Sequence, residues 1–558
     1  EVGPGKSLIN AVQKSAAQLG HEVDIVQCLA DKKSGFAQDS ILALMGKLWA
    51  RGANLSWEML FGKQKFNRIA LPTYPYQRKR YWLDVASVKQ EPSGSERNVQ
   101  EFLYQPCWNI YDGMLKEKNN AENVLRVAVV FYRTTEQRSK LPYQGKLVLV
   151  HLGTQAFQRQ TGSSYCVKLD CPEEYAQLFA TLKEEGIHVT DILYLASAFD
   201  SSGDLLDFAQ RQKFYSIYYF ALSSIAKAIK KNKIVHEICI FVFTNNAFMV
   251  NSEQKICNYE KSIIRGVCIV GQQEYTNLRF GLLDLENPND LASVVLSRKL
   301  SVKESVIAYR GGKVYQLRYE KCECRNEQAR TTLRKNGTYL ITGGYGGIAV
   351  TLAEYIIHQV KATLILVGRR KLCPKSEWEV WLKKNQSHPD YNIIKNMFEL
   401  ERLGSVVEYV QADMADVNQL KRLIFTLQND HVKINGIIHC AGIFGSGEIE
   451  YAENTSVCNV LDTKIVSAKL LCDFAVEIQP DFVILCSSLS AVLGGIGNAD
   501  YSAANQYYDQ IANYLNSSKQ LCISSVNWDE WQEVGMAERL KRKREKQAIM
   551  VSQTVSEE

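Results

Sequence analysis

The run that most constrains this chain is Tyr339–Thr342, followed at once by Gly343-Gly344-Tyr345-Gly346-Gly347-Ile348-Ala349. A short apolar stretch leads into glycines, and an amphipathic helical pattern begins directly after them. Glycines let the backbone turn tightly and approach a ligand closely. The helix N-terminus behind them offers free N–H groups and the positive end of a dipole. Strand, glycine-rich loop and helix in this order form the context that a dinucleotide pyrophosphate requires, so Gly343, Gly344, Tyr345, Gly346, Gly347 and Ile348 are candidate cofactor contacts. The bland alternative is a mere turn, against which the flanking strand and helix weigh. Ala349 stands where the last glycine of the pattern would pack helix on strand, a role alanine also fills.

A second feature extends the first. The next apolar run, Thr363–Val367, ends in Gly368-Arg369-Arg370. An acidic residue there would bind the ribose hydroxyls of NAD, whereas Arg369 or Arg370 suits the additional 2′-phosphate of NADP. The alternative is a solvated strand end. Asp413, with Met414 beside it, closes the third run Val406–Gln411 and is placed to accept from an adenine amino group; the bland reading is a cap for the helix near Val417. Further runs at Gly436–His439, Phe482–Ser487 and Ile523–Trp528 complete an alternating α/β series.

An earlier series of similar size has no glycine cradle. Apolar runs at Leu125–Phe131, Lys146–Leu152, Ile192–Ala196, Ile238–Phe243 and Leu278–Leu285 alternate with helical patterns, notably Asp207–Lys230. After the first of them comes Tyr132-Arg133-Thr134-Thr135, which offers a phosphate nothing comparable. The expected fold is therefore α/β, with two tandem Rossmann-like, doubly wound parallel-sheet subdomains. The first would be structural and the second NADP-binding.

Composition agrees with this. The 558 residues hold three or four domains at roughly 150 residues each. Hydrophobic residues make up 46% and charged residues 23%, so large cores are possible. The net charge of +6 argues against a dedicated nucleic-acid binder. Fifteen cysteines are too dilute for a disulfide scaffold, and no paired CxxC spacing indicates zinc; Cys322–Cys324 is read as incidental. A reduced, cytoplasmic setting fits. No apolar run reaches the length of a membrane helix, and the chain begins as if inside a domain. Of 11 prolines, five precede residue 107, which suggests irregular chain near the front. Helical patterns through Leu8, Val12 and Leu19 and from about Asp39 precede an aromatic, proline-interrupted strap, Leu71–Trp82, and a flexible boundary from Lys89 to Gln100.

Four residues make a proton-transfer set. Tyr501 and Asn505 share one face of a helix, Ser488 closes the strand Phe482–Ser487, and Lys464 sits on an earlier helix. A ketone that accepts hydride needs a proton as charge develops on its oxygen. A tyrosine can donate it if a nearby ammonium lowers its pKa, while a serine hydroxyl holds the carbonyl. Singly, each has a dull reading as half-buried aromatic, strand cap or surface charge. Behind a nucleotide loop, the set reads as catalytic.

On these residues the segment 101 to about 540 resembles the ketoreductase domain of a modular polyketide synthase, in the short-chain dehydrogenase/reductase superfamily. The family's lysine, serine, tyrosine and asparagine fall on Lys464, Ser488, Tyr501 and Asn505, in the arrangement of the synthases rather than of simpler members. His439-Cys440-Ala441-Gly442 resembles the loop beside the nicotinamide, which adds Ala441 and Gly442 to the cofactor set. Glu1–Gly5 resembles the end of an acyltransferase domain and Leu71–Trp82 the strap that follows it. The resemblance implies five segments: an acyltransferase remnant (1–60), a linker (61–100), a structural subdomain (101–330), a catalytic subdomain (331–545) and a linker (546–558). It implies NADPH as cofactor and a β-ketoacyl substrate carried on the phosphopantetheine of an acyl carrier protein. It also implies the other domains of the synthase as partners and a homodimer in the full-length synthase, without nucleic acid or membrane.

Two departures bear on the product. The family's acidic Leu-Asp-Asp marker is replaced by Phe444-Gly445-Ser446, which favours an L-hydroxy product, while the tryptophan common in that class falls at Leu493. The segment Lys371–Tyr391, with Trp378 and Trp381, reads as a helical insertion. Trp531 to about Gln547 reads as part of a substrate lid, with the basic run Lys541–Arg544 either a solvated face or a docking patch for an acidic carrier protein. The rival readings are a catalytically silent scaffold of the same fold, against which the intact set counts, and a free-standing reductase, against which the structural half counts.

Overall fold

The structure, a computed structural model, describes residues 7–20, 25, 37–62, 103–111, 126–135, 137, 145–160, 162–198, 203–251, 254, 257–287, 290–291, 306–322, 332–430, 432–519 and 521–531. The strap, the boundary before residue 101 and all of the lid segment but Trp531 lie outside them. The chain forms two units, Glu1–Ser95 and Glu96–Glu558. In the first, helices span Ser7–Gln18, Ala37–Ala50 and Trp57–Phe61, close to where the apolar periodicity puts the first two. Leu8, Val12 and Leu19 are nevertheless exposed. Trp57 packs against Trp49 and Phe61.

The second unit is built on two sheets. Its first ten strands in chain order are β1 (Tyr104–Ile110), β2 (Val127–Tyr132), β3 (Lys146–Gly153), β4 (Gln158–Arg159), β5 (Ser164–Lys168), β6 (Asp191–Tyr194), β7 (Ile238–Asn245), β8 (Leu278–Leu285), β9 (Val306–Arg310) and β10 (Lys313–Lys321). They form one sheet in the order β1-β10-β9-β8-β7-β6-β2-β3-β5-β4. The run from β9 to β5 is parallel, and antiparallel strands flank it at both edges. The second sheet comprises β11 (Gly337–Thr342), β12 (Ala362–Gly368), β13 (Val406–Gln411), β14 (Ile434–His439), β15 (Phe482–Ser488) and β16 (Ile523–Trp528). Its order is β13-β12-β11-β14-β15-β16, parallel throughout. This is the Rossmann order, and β5-β3-β2-β6-β7-β8 repeats it in the first sheet. Buried on both faces, the central parallel strands read as continuous apolar runs, which is why the sequence reveals most of them.

The helices between the sheets share one core, which draws residues from both halves. Its tightest point is Gly266, on the helix Ile264–Glu274. A Cβ there would lie 2.6 Å from the Ala499 carbonyl oxygen and 2.6 Å from Ala503 Cα, and would also strike the Ala503 nitrogen. Ala499 and Ala503 belong to the helix Ala499–Ser518, which carries Tyr501. A second contact fixes the helix Asn454–Ile478, which carries Lys464. Arg211 Nε donates to Asp462 Oδ1 at 2.9 Å and the Tyr215 hydroxyl donates to the same oxygen at 2.8 Å. The first half thus holds both helices of the candidate site.

Gly266→Ala tests the close contact. Inside a free helix alanine is favoured over glycine by about 1 kcal/mol, but overpacking against the backbone of the neighbouring helix costs about 1–3 kcal/mol. Net destabilisation is expected as a lower thermal midpoint; an equal or higher midpoint contradicts backbone contact at this point.

Candidate active site

The glycine loop follows β11 as the sequence implies. Gly343 has φ +70°, and a Cβ on it would come within 2.7 Å of the Ala441 nitrogen at the end of β14. One on Gly344 would meet Leu366 Cβ of β12 at 2.8 Å. The loop therefore lies in the crevice between the strands that flank β11, the switch point of the sheet. No side chain caps the helix Gly347–Gln359, whose N-cap is Gly346, so its first N–H groups are left for a ligand. A phosphate-bearing dinucleotide fits a cradle of this kind.

The adenosine end is more specific than two consecutive arginines suggest. Arg370 is ion-paired with Asp390, which lies in the insertion. The Arg369 residue is exposed and is paired with no described carboxylate, so it is the better placed for a 2′-phosphate. Gly368 just before it is buried under the Tyr345 ring, which a Cβ would strike. Asp413 does not cap the following helix: Asp416 does, accepting from the Asn418 and Gln419 N–H groups, while Asp413 Oδ1 accepts from the Ala415 N–H. Met414 is buried and Asp413 half-buried beside it. The insertion forms the helix Trp378–Lys384 and ends where the helix Tyr391–Arg402 begins. Trp378 is fully buried there, against Tyr409 of β13.

The four proton-transfer candidates converge at the ends of β14 and β15. The side chains of Ser488 and Asn505 lie near enough to the Tyr501 hydroxyl to favour its ionised form. Lys464 is buried; its ammonium donates to the Cys486 carbonyl at 3.0 Å and lies 4.1 Å from the Tyr508 ring centre and 5.6 Å from that of Tyr501. Loss of water around it lowers its pKa to about 8. Burial raises the Tyr501 pKa, and the neighbouring Asn505 and Ser488 side chains only partly offset this. The phenol is therefore held protonated, as a donor must be, and its pKa is raised by burial where the sequence reading expects a nearby ammonium to lower it. Asn505 is fully buried; its Nδ2 donates to the Tyr501 carbonyl at 2.8 Å, while its Oδ1 is buried without a partner.

Other residues organise this set. His439 at the end of β14 is buried, which keeps it neutral. Its ring nitrogens contact the hydroxyls of Thr342, on β11, and Ser467, one turn beyond Lys464. Next on the chain, the half-buried Gly442 follows the buried Ala441. Phe444 stacks on Tyr501 at 5.9 Å, and Asp500 accepts from the Ser446 and Tyr501 N–H groups. In the sequence His439 shows only as part of a motif, and Asp500 does not show at all, because its contacts join segments distant along the chain. In the first half, Gln137 Oε1 accepts from the Arg133 and Thr134 N–H groups after β2, and its Nε2 donates to the Ala198 carbonyl. A glutamine amide thus takes donors that stand where a phosphate would need them. Among the described residues no group of His, Cys, Asp and Glu is arranged to hold a metal, and no helix is long and apolar enough to cross a membrane.

With that geometry in view, residues 337–533 match the KR domain family. Residues 127–265 match the family described as beta-ketoacyl synthase-like, N-terminal. Polyketide synthase PksM of Bacillus subtilis (strain 168) is 24% identical over 88% of this chain, which spans 11% of that protein. A 6-methylsalicylic acid synthase of Aspergillus niger is 31% identical over 37% of this chain and 11% of that protein. The matched part is thus only about a tenth of the length of either relative. Among solved structures, an N-terminal ketoreductase from the macrolactin assembly line shares the fold. It has a TM-score of 0.63 and 22% identity over 77% of this chain and 84% of that one. A multidomain structure with adenylation, ketoreductase and pseudo Asub parts, from a keto acid-selecting NRPS module, has a TM-score of 0.66 and 20% identity. It covers 95% of this chain and 42% of that one.

The buried Lys464 ammonium has a pH signature. Because the fold depresses the Lys464 pKa from 10.5 to about 8, it disfavours the charged form, a cost present below pH 8 and relieved as pH rises toward 10.5. Thermal melts of wild type and Lys464→Met across this window should show wild type gaining stability relative to the variant. Parallel curves contradict the buried charge.

Proposed function

We propose that this chain carries the β-ketoacyl reductase step of a polyketide synthase module. In this reading an NADPH-dependent site reduces a β-ketoacyl thioester, held on the phosphopantetheine of an acyl carrier protein, to the β-hydroxyacyl thioester. The observation that carries it is the convergence of Tyr501, Ser488, Asn505 and Lys464 beside a glycine cradle at a sheet switch point. When bound, NADPH supplies the hydride. The first-turn N–H groups after Gly346 take its pyrophosphate and Arg369 its 2′-phosphate, with Asp413 and Met414 at the adenine and Ala441 and Gly442 at the nicotinamide.

Each proton-transfer residue then has one task. Ser488 donates a hydrogen bond to the ketone oxygen and fixes it near the Tyr501 hydroxyl. Tyr501, kept protonated by burial, gives its proton to that oxygen as negative charge develops. Lys464 stabilises the resulting phenolate through its positive charge. The free Asn505 Oδ1 is an acceptor for a water that returns the proton.

Phe444-Gly445-Ser446 in place of an acidic marker supports an L-hydroxy product. The same reading makes 1–60 an acyltransferase remnant, 61–100 its linker, 101–330 the structural subdomain, 331–545 the catalytic subdomain and 546–558 a linker. The Gln137 amide favours a first half that binds no nucleotide. Carrier protein and sister domains are the partners, within a cytoplasmic homodimeric synthase.

The purified chain, given NADPH and a β-ketoacyl thioester, should consume reduced nicotinamide and yield one β-hydroxy enantiomer on chiral analysis. Loss of the general acid in Tyr501→Phe should slow turnover by about 100-fold or more. Undiminished turnover in that variant contradicts the mechanism, and NADPH binding without turnover in wild type supports a silent scaffold.

A further inference from the structure

The helix Ile264–Glu274 ends in an acid, where the negative end of the helix dipole disfavours one. Burial also raises the Glu274 carboxyl above its ordinary range. Such a local conflict needs a compensating gain, and the gain lies across the interface. Glu274 Oε1 accepts from the Gly497 N–H at 2.9 Å, and Oε2 accepts from the Ile449 N–H at 2.7 Å. Its neighbour Gln273 donates to the Leu493 carbonyl at 2.7 Å and accepts from the Gly495 N–H at 2.8 Å. Four backbone groups in two loops of the second half are thus held by two adjacent side chains of the first half. Gly494 has φ +76°, and a Cβ on it would lie 2.5 Å from Ile269 Cγ2 and 2.9 Å from Gln273 Oε1.

These two loops frame the candidate site. One follows His439–Gly442 and carries Phe444, which stacks on Tyr501. The other joins Ser488 to Tyr501. They also touch each other: the Gly447 N–H donates to the Gly497 carbonyl at 3.3 Å. Phe444, Leu493 and Ile496 are exposed and apolar, while Glu448, Tyr451 and Glu453 are exposed farther along the first loop. We propose that Glu274, assisted by Gln273, is a substrate-positioning residue: it locks the two loops into a preformed apolar rim that receives the acyl chain of the thioester. The proposal rests on the ketoreductase reading for the identity of the substrate, but the clamp itself does not. A rim that need not be ordered on binding costs less conformational entropy, so the effect belongs to substrate binding rather than to chemistry.

Glu274→Gln keeps shape and loses one charged acceptor. Gln273→Met keeps length and loses both its hydrogen bonds, and guards against a fold defect peculiar to the first variant. Either change should raise KM for the β-ketoacyl thioester about tenfold, the worth of one charge-assisted hydrogen bond, with kcat and the KM for NADPH little changed. Independently of turnover, hydrogen exchange at the amides of Gly497 and Ile449 in Glu274→Gln should accelerate by a similar factor. If wild type turns over and both variants keep its KM and its exchange, the proposal is overturned. Equal losses for both substrates with a lowered thermal midpoint also overturn it, in favour of a purely structural contact. If wild type does not turn over, the ketoreductase reading falls, and the exchange measurement alone decides the clamp.

Discussion

The backbone contact at Gly266 is the constraint on which the rest of the second unit depends. Two helices from different halves meet with no side chain between them, one from the first sheet's layer and one carrying Tyr501 and Asn505. Such closeness lets the two layers share a core, and it leaves the position of the Tyr501 helix to a partner that has no cradle of its own. The Arg211–Asp462 pair does the same for the Lys464 helix. Removing either partner would strand a buried charge, so the pair specifies geometry more than it adds stability. A half that looks inert by its own loops is thus the frame of the site.

Burial then sets the electrostatics. The same packing that immobilises Lys464 strips its water and brings its proton into the neutral range, while it pushes the Tyr501 phenol the other way. A titratable pair whose members are shifted in opposite senses has its acid and base roles set by environment, with the phenol holding its proton beside an ammonium that gives one up more readily. His439, uncharged and bonded to hydroxyls on both sides, ties β11, β14 and the Lys464 helix together without adding a competing charge.

Much of this is legible in the chain. The central parallel strands appear as apolar runs because both faces are buried, as at Leu278–Leu285, and the partly exposed edge strands Val406–Gln411 and Ile523–Trp528 also fall where the sequence puts them. The sequence reading misses β1, β4, β5, β9 and β10, which lie at or near a sheet edge and, in β4, β5 and β9, span five residues or fewer. Of these, β1 and β10 are largely exposed, so their side chains carry no such pattern. The long pattern Asp207–Lys230 is interrupted by a π-helical turn, Ser216–Phe220, which widens the helix without breaking its apolar face. Trp378 is readable as an insertion residue but not as core, since only the fold brings Tyr409 to it.

The sequence by itself determined the cradle and the identity of the four proton-transfer candidates, because glycine spacing and helix periodicity are local properties of the chain. It also determined that two similar α/β series lie in tandem. Only the tertiary structure decided which arginine is left for a ligand, since Asp390 reaches Arg370 from twenty residues on. The tertiary structure alone also decided that the Tyr501 pKa rises and that Gln273 and Glu274 reach the site. Desolvation and contacts across more than two hundred residues of chain depend on what packs against a side chain, and no local pattern encodes that.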